Sequence, residues 1–322
     1  MKFLRRQFLH LVAGAAALPA VARMARAQTY PVRPVTLVVP FAVGGITDVV
    51  ARLTAGQLQA SLKQSFLVEN QPGGAGILAA NRVAKATPDG YLLLFTPIFQ
   101  ITMAPFTHTV TFDPIKDFMP IASVAASPFA ITVGNSFPAN SLADFIAYVK
   151  AKPGQLSFGS AGTGSFTHVS SAVFLKSAGL DMVHVPYRGV VPALTDLLGG
   201  QIAMISASPV EIKPFLESGK IRPLAVTSSE RSKQLPNVPT VAETLKSPPV
   251  VTYNGLLAPR RTPVEIVEAI AHALRNDVEF QDRLAQVGTD PFVSTPEEFA
   301  KIITADIVQW RDIVRDLNLK TQ

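Results

Sequence analysis

Short apolar runs of strand length, each followed by a glycine-containing bend and a stretch with helical spacing, recur along this chain and leave it few possible folds. The first such unit is "VTLVVPFAVGGITDVVARLTAGQL", residues 35–58. Its Val35–Pro40 run lies between Pro34 and Gly44, and Val49, Val50, Leu53 and Leu58 then recur close to one face of a helix. "FLVENQPGGAG" reads as a strand and a glycine-rich loop, "ILAANRVAKA" as a helix ending before "TPDG", and "YLLLF" as a buried strand. This βαβα order predicts a parallel-type sheet covered by helices.

A second series begins with "SLADFIAYVKAKPG", a helix capped by Ser141 with Gly154 beyond its end. "LSFGSAGTGSFTHVSSAVFLK", residues 156–176, repeats the design of the first unit. "DMVHVPY", "IAMISAS" and "IRPLAVTS" read as strands, separated by the helices "VPALTDLLGG" and "PVEIKPFLESG"; Ser208-Pro209 suits the start of the latter. Residues 99–120 show no clear period and read as irregular. "IASVAASPFAITVG" and "SPPVVTYNGLLAP" read as extended crossings between two lobes, near residues 122–133 and 248–258. Two helices are expected to close the chain, starting at "TPVE" (262–265) and "TPEE" (295–298), each with a threonine cap and a glutamate three residues later. The face Phe299, Ile302, Ile303, Ile307, Trp310 and Val314 is expected to pack on the first lobe. The resulting division is residues 28–128 plus 251–322 for lobe 1 and 129–250 for lobe 2.

Residues 1–27 read as an export signal. Arg5-Arg6 precede an apolar run from Leu9 to Ala22, and Ala25 and Ala27 in "ARAQ" are the small residues at which a signal peptidase cuts. The paired arginines suggest the twin-arginine route. A membrane anchor is the alternative, but the run is short for a span of roughly 20 residues and Pro19 interrupts it. This segment holds five of the chain's 29 Lys and Arg and none of its 23 acids, so 24 bases remain against 23 acids. The formal net charge of +6 therefore belongs largely to the leader and gives no reason to expect a nucleic-acid partner. Cysteine is absent, which removes disulfides, thiolate nucleophiles and cysteine–metal sites. A hydrophobic content of 48% supports two sizeable cores instead.

The chemistry is expected at the two glycine loops. A helix N-terminus presents unpaired N–H groups and about half a positive charge, so it binds anions without a cationic side chain. Gly44, Gly45 and Thr47 stand at one such point, and Gly162, Thr163, Gly164 and Ser165 at another. Ser165 and Thr47 acting only as helix caps is the plainer alternative. Nucleotide cofactors are disfavoured. The third glycine of G-x-G-x-x-G is replaced by Thr167 after Gly162 and Gly164, and by Ala79 after Gly74 and Gly76; no P-loop pattern exists. A serine hydrolase using Ser165, His168 and an acid such as Asp196 is the rival reading, without the G-x-S-x-G elbow. His108, His168, His184 and His272 show no metal-ligand spacing. Asp48, in the first helical turn, either holds the loop or accepts from an ammonium group. Arg188 is either a counter-ion or a solvated surface residue.

"VPFAVGGITDVVAR", "VENQPGGAGILAANRVAKATPDGYLLL", "FDPIKDFMPI", "FGSAGTGSFTH", "VHVPYRGVVPALTDLLGGQI", "RPLAVTSSERSKQLPNVPTVAE" and "GLLAPRRTP" together resemble the Bug receptor family, the extracytoplasmic solute receptors of tripartite tricarboxylate transporters. The resemblance covers nearly all of the chain after the leader. It implies an α/β, two-lobed type II periplasmic-binding-protein (Venus flytrap) fold that closes on a small carboxylate. It also implies a periplasmic, non-enzymatic, monomeric protein without cofactor or metal, with the membrane subunits of such a transporter as partners. Carried over residue by residue, the first pincer is Phe41, Ala42, Gly44, Gly45, Thr47 and Asp48. The second is Ser160, Ala161, Gly162, Thr163, Gly164, Ser165 and His168. The family often has Asn-Pro where this chain has Ala104-Pro105, and a polar or acidic residue within the stretch Ser206–Ser208. A pocket lined by Ile98, Phe99 and Ala104 would suit a ligand with a less polar distal part. A protein that binds a macromolecular partner rather than a solute is the third reading.

Overall fold

Val35, Leu37, Val38 and Val39 are all fully buried, as a strand covered on both faces must be. They form β1 (Val35–Val39), which lies between β2 (Phe66–Asn70) and β3 (Leu92–Pro97) and runs parallel to both. The computed structural model that shows this describes residues 30–73, 76–275 and 277–316. The export signal read in residues 1–27 lies outside them.

Beyond β3 the same sheet continues antiparallel through β10 (Val251–Pro259), β4 (Phe118–Pro128) and the short β11 (Asp290–Pro291), in the order β11-β4-β10-β3-β1-β2. A second sheet has the order β7-β6-β8-β5-β9, from β5 (Ala130–Gly134), β6 (Ser157–Ser160), β7 (Val183–Pro186), β8 (Met204–Ala207) and β9 (Ile221–Val226). Here β6 takes the place of β1, parallel to neighbours on both sides. Helices α1 (Ile46–Leu62), α2 (Ile77–Ala84) and α3 (Ile98–Thr107) follow β1, β2 and β3. In the second sheet α4 (Leu142–Lys150) follows β5, α5 (Phe166–Ala178) follows β6, α6 (Val190–Leu198) follows β7 and α7 (Pro209–Glu217) follows β8. The chain then adds α8 (Val264–Leu274), α9 (Val278–Gln286) and α10 (Pro296–Asp316). Two sheets with separate helical covers and separate cores make the fold α/β and two-lobed.

The lobes are joined where β4 passes through Phe129 into β5, and where the chain returns through Val250 into β10. Thr227 ties the two crossings together. Its N–H donates to the Phe129 carbonyl at 2.8 Å and its carbonyl accepts from Val250 N–H at 2.8 Å. Its Oγ1 accepts from Phe129 N–H at 3.1 Å and donates to the Val250 carbonyl at 2.6 Å. Thr227 is buried, so Thr227→Val keeps its shape and leaves two buried backbone groups unpaired. The expected loss is about 2 kcal/mol of stability, since each unpaired group costs about 1–3 kcal/mol less whatever relaxation recovers. Urea unfolding of the variant checks it.

Several elements differ from the sequence reading. Residues 98–107 are helical, and all faces of α3 are apolar or buried, which leaves no amphipathic period to detect. α9 was also not anticipated, and Thr262 does not cap α8; its hydroxyl donates to the Pro259 carbonyl instead. The largest difference is α10. Phe299 and Ile303 pack into the first lobe with Ile98 and Leu257, but Trp310 and Val314 pack with Phe166, Val169 and Val173 of α5. Lys176 and Asp316 add an ion pair at 3.1 Å. The helix therefore spans both lobes rather than covering the first alone.

Candidate functional site

Both glycine loops leave the C-terminal end of a parallel strand that sits between two parallel neighbours, where open α/β sheets bind ligands. In the first, Gly44 adopts φ +88°, a conformation an L side chain resists. No side chain caps α1, whose first helical bond runs from Val49 N–H to the Gly45 carbonyl at 3.0 Å. The amides of Ile46, Thr47 and Asp48 thus precede the helical ladder.

Asp48 is buried and faces inward. Its carboxylate accepts from Gly44 N–H (2.9 Å), Arg52 Nε (3.1 Å) and Asn70 Nδ2 (2.9 Å). Burial alone would raise its pKa, but these bonds and the Arg52 charge hold it below the usual carboxylate range. Asn70 also donates to the Phe41 carbonyl at 3.0 Å. Of the two roles open to Asp48, the structure assigns the holding of the loop. Asn70 and Arg52 share that role and went unnoticed in the sequence, although Asn70 stands in the quoted "VENQPGG".

The second loop is organised in the same way by different groups. Gly162 and Gly164 take φ +129° and +76°. Ser165 caps α5, accepting from His168 N–H at 3.3 Å and donating to the Gly162 carbonyl at 2.7 Å. Ala161 N–H donates to Thr167 Oγ1 at 2.7 Å. The Ser160 hydroxyl lies 2.7 Å from His184 Nε2 and accepts from Gly162 N–H at 3.2 Å. Gly164 N–H donates to His168 Nδ1 at 3.1 Å. That bond requires a neutral imidazole with its proton on Nε2.

His168 lies buried beneath the second loop and does not line the cleft. Its ring stacks on that of His184 at 3.8 Å, with an interplanar angle of 7°, and Phe158 lies against both. Burial, reinforced by the neighbouring His184, pulls its pKa down to about 4. Burial lowers that of His184 as well. The hydrolase constellation is not assembled: Ser165 bonds the backbone, His168 serves Gly164, and Asp196 accepts from the Tyr187 hydroxyl at 2.7 Å.

Between the loops lies a cavity of about 410 Å³, walled by both lobes. Phe41 reaches it from the first loop, and Ala161, Gly162, Thr163, Gly164 and Ser165 from the second. Ala42, Gly44, Gly45 and Thr47 belong to the same first loop but do not form the wall, and Asp48, Ser160 and His168 lie beneath the loops. Helix α3 supplies Phe99, Gln100, Met103, Ala104 and Thr107, with His108 just past its end; Phe129 comes from the crossing, Val190 from α6 and Glu211 from α7. Of the three residues anticipated for the distal pocket, Phe99 and Ala104 line it, whereas Ile98 is fully buried in the first-lobe core. Arg188 is exposed and outside the wall. No lysine or arginine lines the cavity among the described residues, and no cluster of metal-ligating side chains occurs among them. An anion here meets the N-terminus of α5 and hydroxyl-bearing side chains.

Residues 50–319 match the profile described as tripartite tricarboxylate transporter family receptor. Protein BugT of Bordetella pertussis is 32% identical over 311 residues, which span 93% of this chain and 94% of that protein. The structure of R. palustris Rpa4515 with adipate is similar at a TM-score of 0.79 and 34% identity, over 90% of this chain and 99% of that one. MatC from Rhodopseudomonas palustris with bound malate is similar at a TM-score of 0.72 and 34% identity, over 88% of this chain and 100% of that one.

Proposed function

The chain belongs to the tripartite tricarboxylate transporter receptor family, and on that premise we propose that it captures a small carboxylate between its lobes for delivery to membrane subunits of such a transporter. One observation carries the reading. Two β-strand–glycine-loop–helix units, one per lobe, meet at a cavity whose wall has no lysine or arginine among the described residues. The carboxylate is held by the amides at the start of α5 and by the Thr163 hydroxyl, with Phe41 reaching the cavity from the first loop. Asp48, Ser160 and His168 keep the two loops in shape. The bound adipate and malate of the two R. palustris proteins support a carboxylate as the ligand class.

In this reading lobe 1 comprises residues 28–128 and 251–322, and lobe 2 residues 129–250. The protein acts as a monomer in the periplasm after cleavage near Ala27. It binds without turnover. Thermal unfolding against mono-, di- and tricarboxylates tests the central point. A true ligand at 100 times its dissociation constant should add about 2.7 kcal/mol of stability. Absence of a shift with every carboxylate would remove the reading. A second assay addresses catalysis: wild type and Ser165→Ala should both leave a model ester intact, and wild-type hydrolysis lost in the variant would establish the hydrolase instead.

A further inference from the structure

The wall of the cavity away from the loops combines an aromatic cluster with the polar side chains of Gln100, Thr107 and His108. Phe166 stands 4.9 Å from Phe99 and 4.6 Å from Phe129, centroid to centroid, in tilted contact. Phe99 comes from the first lobe, Phe166 from the second and Phe129 from the crossing between them. Met103 and Val190 extend this apolar surface. A ligand body enclosed here loses its water to rings and a thioether, which reward apolar surface and offer a carboxylate nothing.

Among the described residues, the one acidic side chain in the wall is Glu211. Its Oε2 accepts from Ser208 N–H at 3.0 Å and Ser208 Oγ at 2.7 Å, closing the cap of α7. Burial raises its pKa, which is what a carboxyl with no cation beside it should show. Neither form supplies the fixed positive charge that would compensate a buried second carboxylate. The remaining polar side chains of the wall include Thr167, whose hydroxyl already serves Ala161 N–H, and Thr107, whose hydroxyl donates to the Met103 carbonyl.

We infer that the cavity selects a monocarboxylate with an apolar body over a dicarboxylate, with the Phe99–Phe129–Phe166 cluster receiving the body and Glu211 turning away a second carboxylate. This rests on the carboxylate reading above and narrows it.

Hexanoate and adipate have the same six-carbon chain and differ only in whether the far end is methyl or carboxylate. Calorimetric titration of the full-length mature protein with hexanoate, phenylacetate, adipate and malate therefore tests the inference directly. The expected result is that hexanoate or phenylacetate binds at least tenfold more tightly than adipate and malate. Equal or tighter binding of adipate or malate would overturn the selectivity and leave the receptor reading standing. Failure of all four, and of a wider carboxylate panel, would sink both. Glu211→Gln keeps an acceptor for Ser208, so the fold should survive. In that variant the hexanoate-to-adipate preference should narrow by at least threefold through tighter adipate binding, and an unchanged preference would overturn the role given to Glu211.

Discussion

Gly164→Val is expected to weaken carboxylate binding by tenfold or more while the protein remains folded. Gly164 has φ +76°, and a left-handed backbone costs an L residue roughly 1–2 kcal/mol, more when it is β-branched. The loop would relieve that strain by turning, and the first amides of α5 would lose their aim at the cavity. Each charge-assisted hydrogen bond lost is worth about 1.5–3 kcal/mol, and 1.4 kcal/mol is a factor of about ten. Gly44→Val, at φ +88°, should act in the same direction from the other lobe. An added Cβ there has nothing within 4 Å, so backbone conformation rather than crowding carries the effect. Arg188→Ala is the control. Arg188 is exposed and outside the cavity wall, so affinity should change by no more than about twofold, as for surface substitutions worth about 0.5 kcal/mol. Calorimetric titration of the three variants, with unfolding curves to confirm their folds, provides the test. Loss of binding in Arg188→Ala with normal binding in both glycine variants would refute a site made of backbone donors.

The parts of this molecule that were legible in its sequence are those with a local physical signature. A parallel strand covered on both faces must be continuously apolar, so "VTLVV" announces itself, and the alternation of such runs with helical stretches announces the α/β class. Glycines at positions that need positive φ mark the loops. The cavity wall was less legible because it is assembled from distant segments. α3 is buried nearly all round and interrupted by Pro105, which erases its period. Phe129 reads as one more residue of an extended crossing, and Glu211 stands unremarked in the helix that follows Ser208-Pro209, yet the fold turns both toward the cleft. The face of α10 was visible as apolar, but periodicity says only that a face is covered. It cannot say that Phe299 is covered by the first lobe while Trp310, three turns on, is covered by residues of both, Met103 and Phe166.

His168→Asn should reveal a pH-dependent contribution of about 3 kcal/mol that the intact protein partly conceals. In the folded chain His168 is buried against His184, with its pKa held at about 4 rather than the ordinary 6.5. Above pH 6.5 the imidazole is neutral in both folded and unfolded chains, and its contribution is fully present. As pH falls below 6.5 the unfolded chain takes up the proton and the folded chain does not, so stability declines until about pH 4. The interval is about 2.5 pH units, and each unit is worth about 1.36 kcal/mol. Asp306 masks this. Buried on α10, its carboxyl is pushed up to about 7, so it stabilises the folded chain as pH falls over nearly the same range. The wild-type profile alone can therefore look flat. Asparagine resolves the two, because its Oδ1 can accept from Gly164 N–H as Nδ1 does, yet it does not titrate. Asp306 is common to both proteins and drops out of their difference. Urea unfolding from pH 7 to pH 4 should show the variant gaining about 3 kcal/mol relative to wild type, whatever constant offset the lost ring stacking introduces. A difference independent of pH would mean that His168 titrates normally and that the loop bond to Gly164 does not depend on its neutral form.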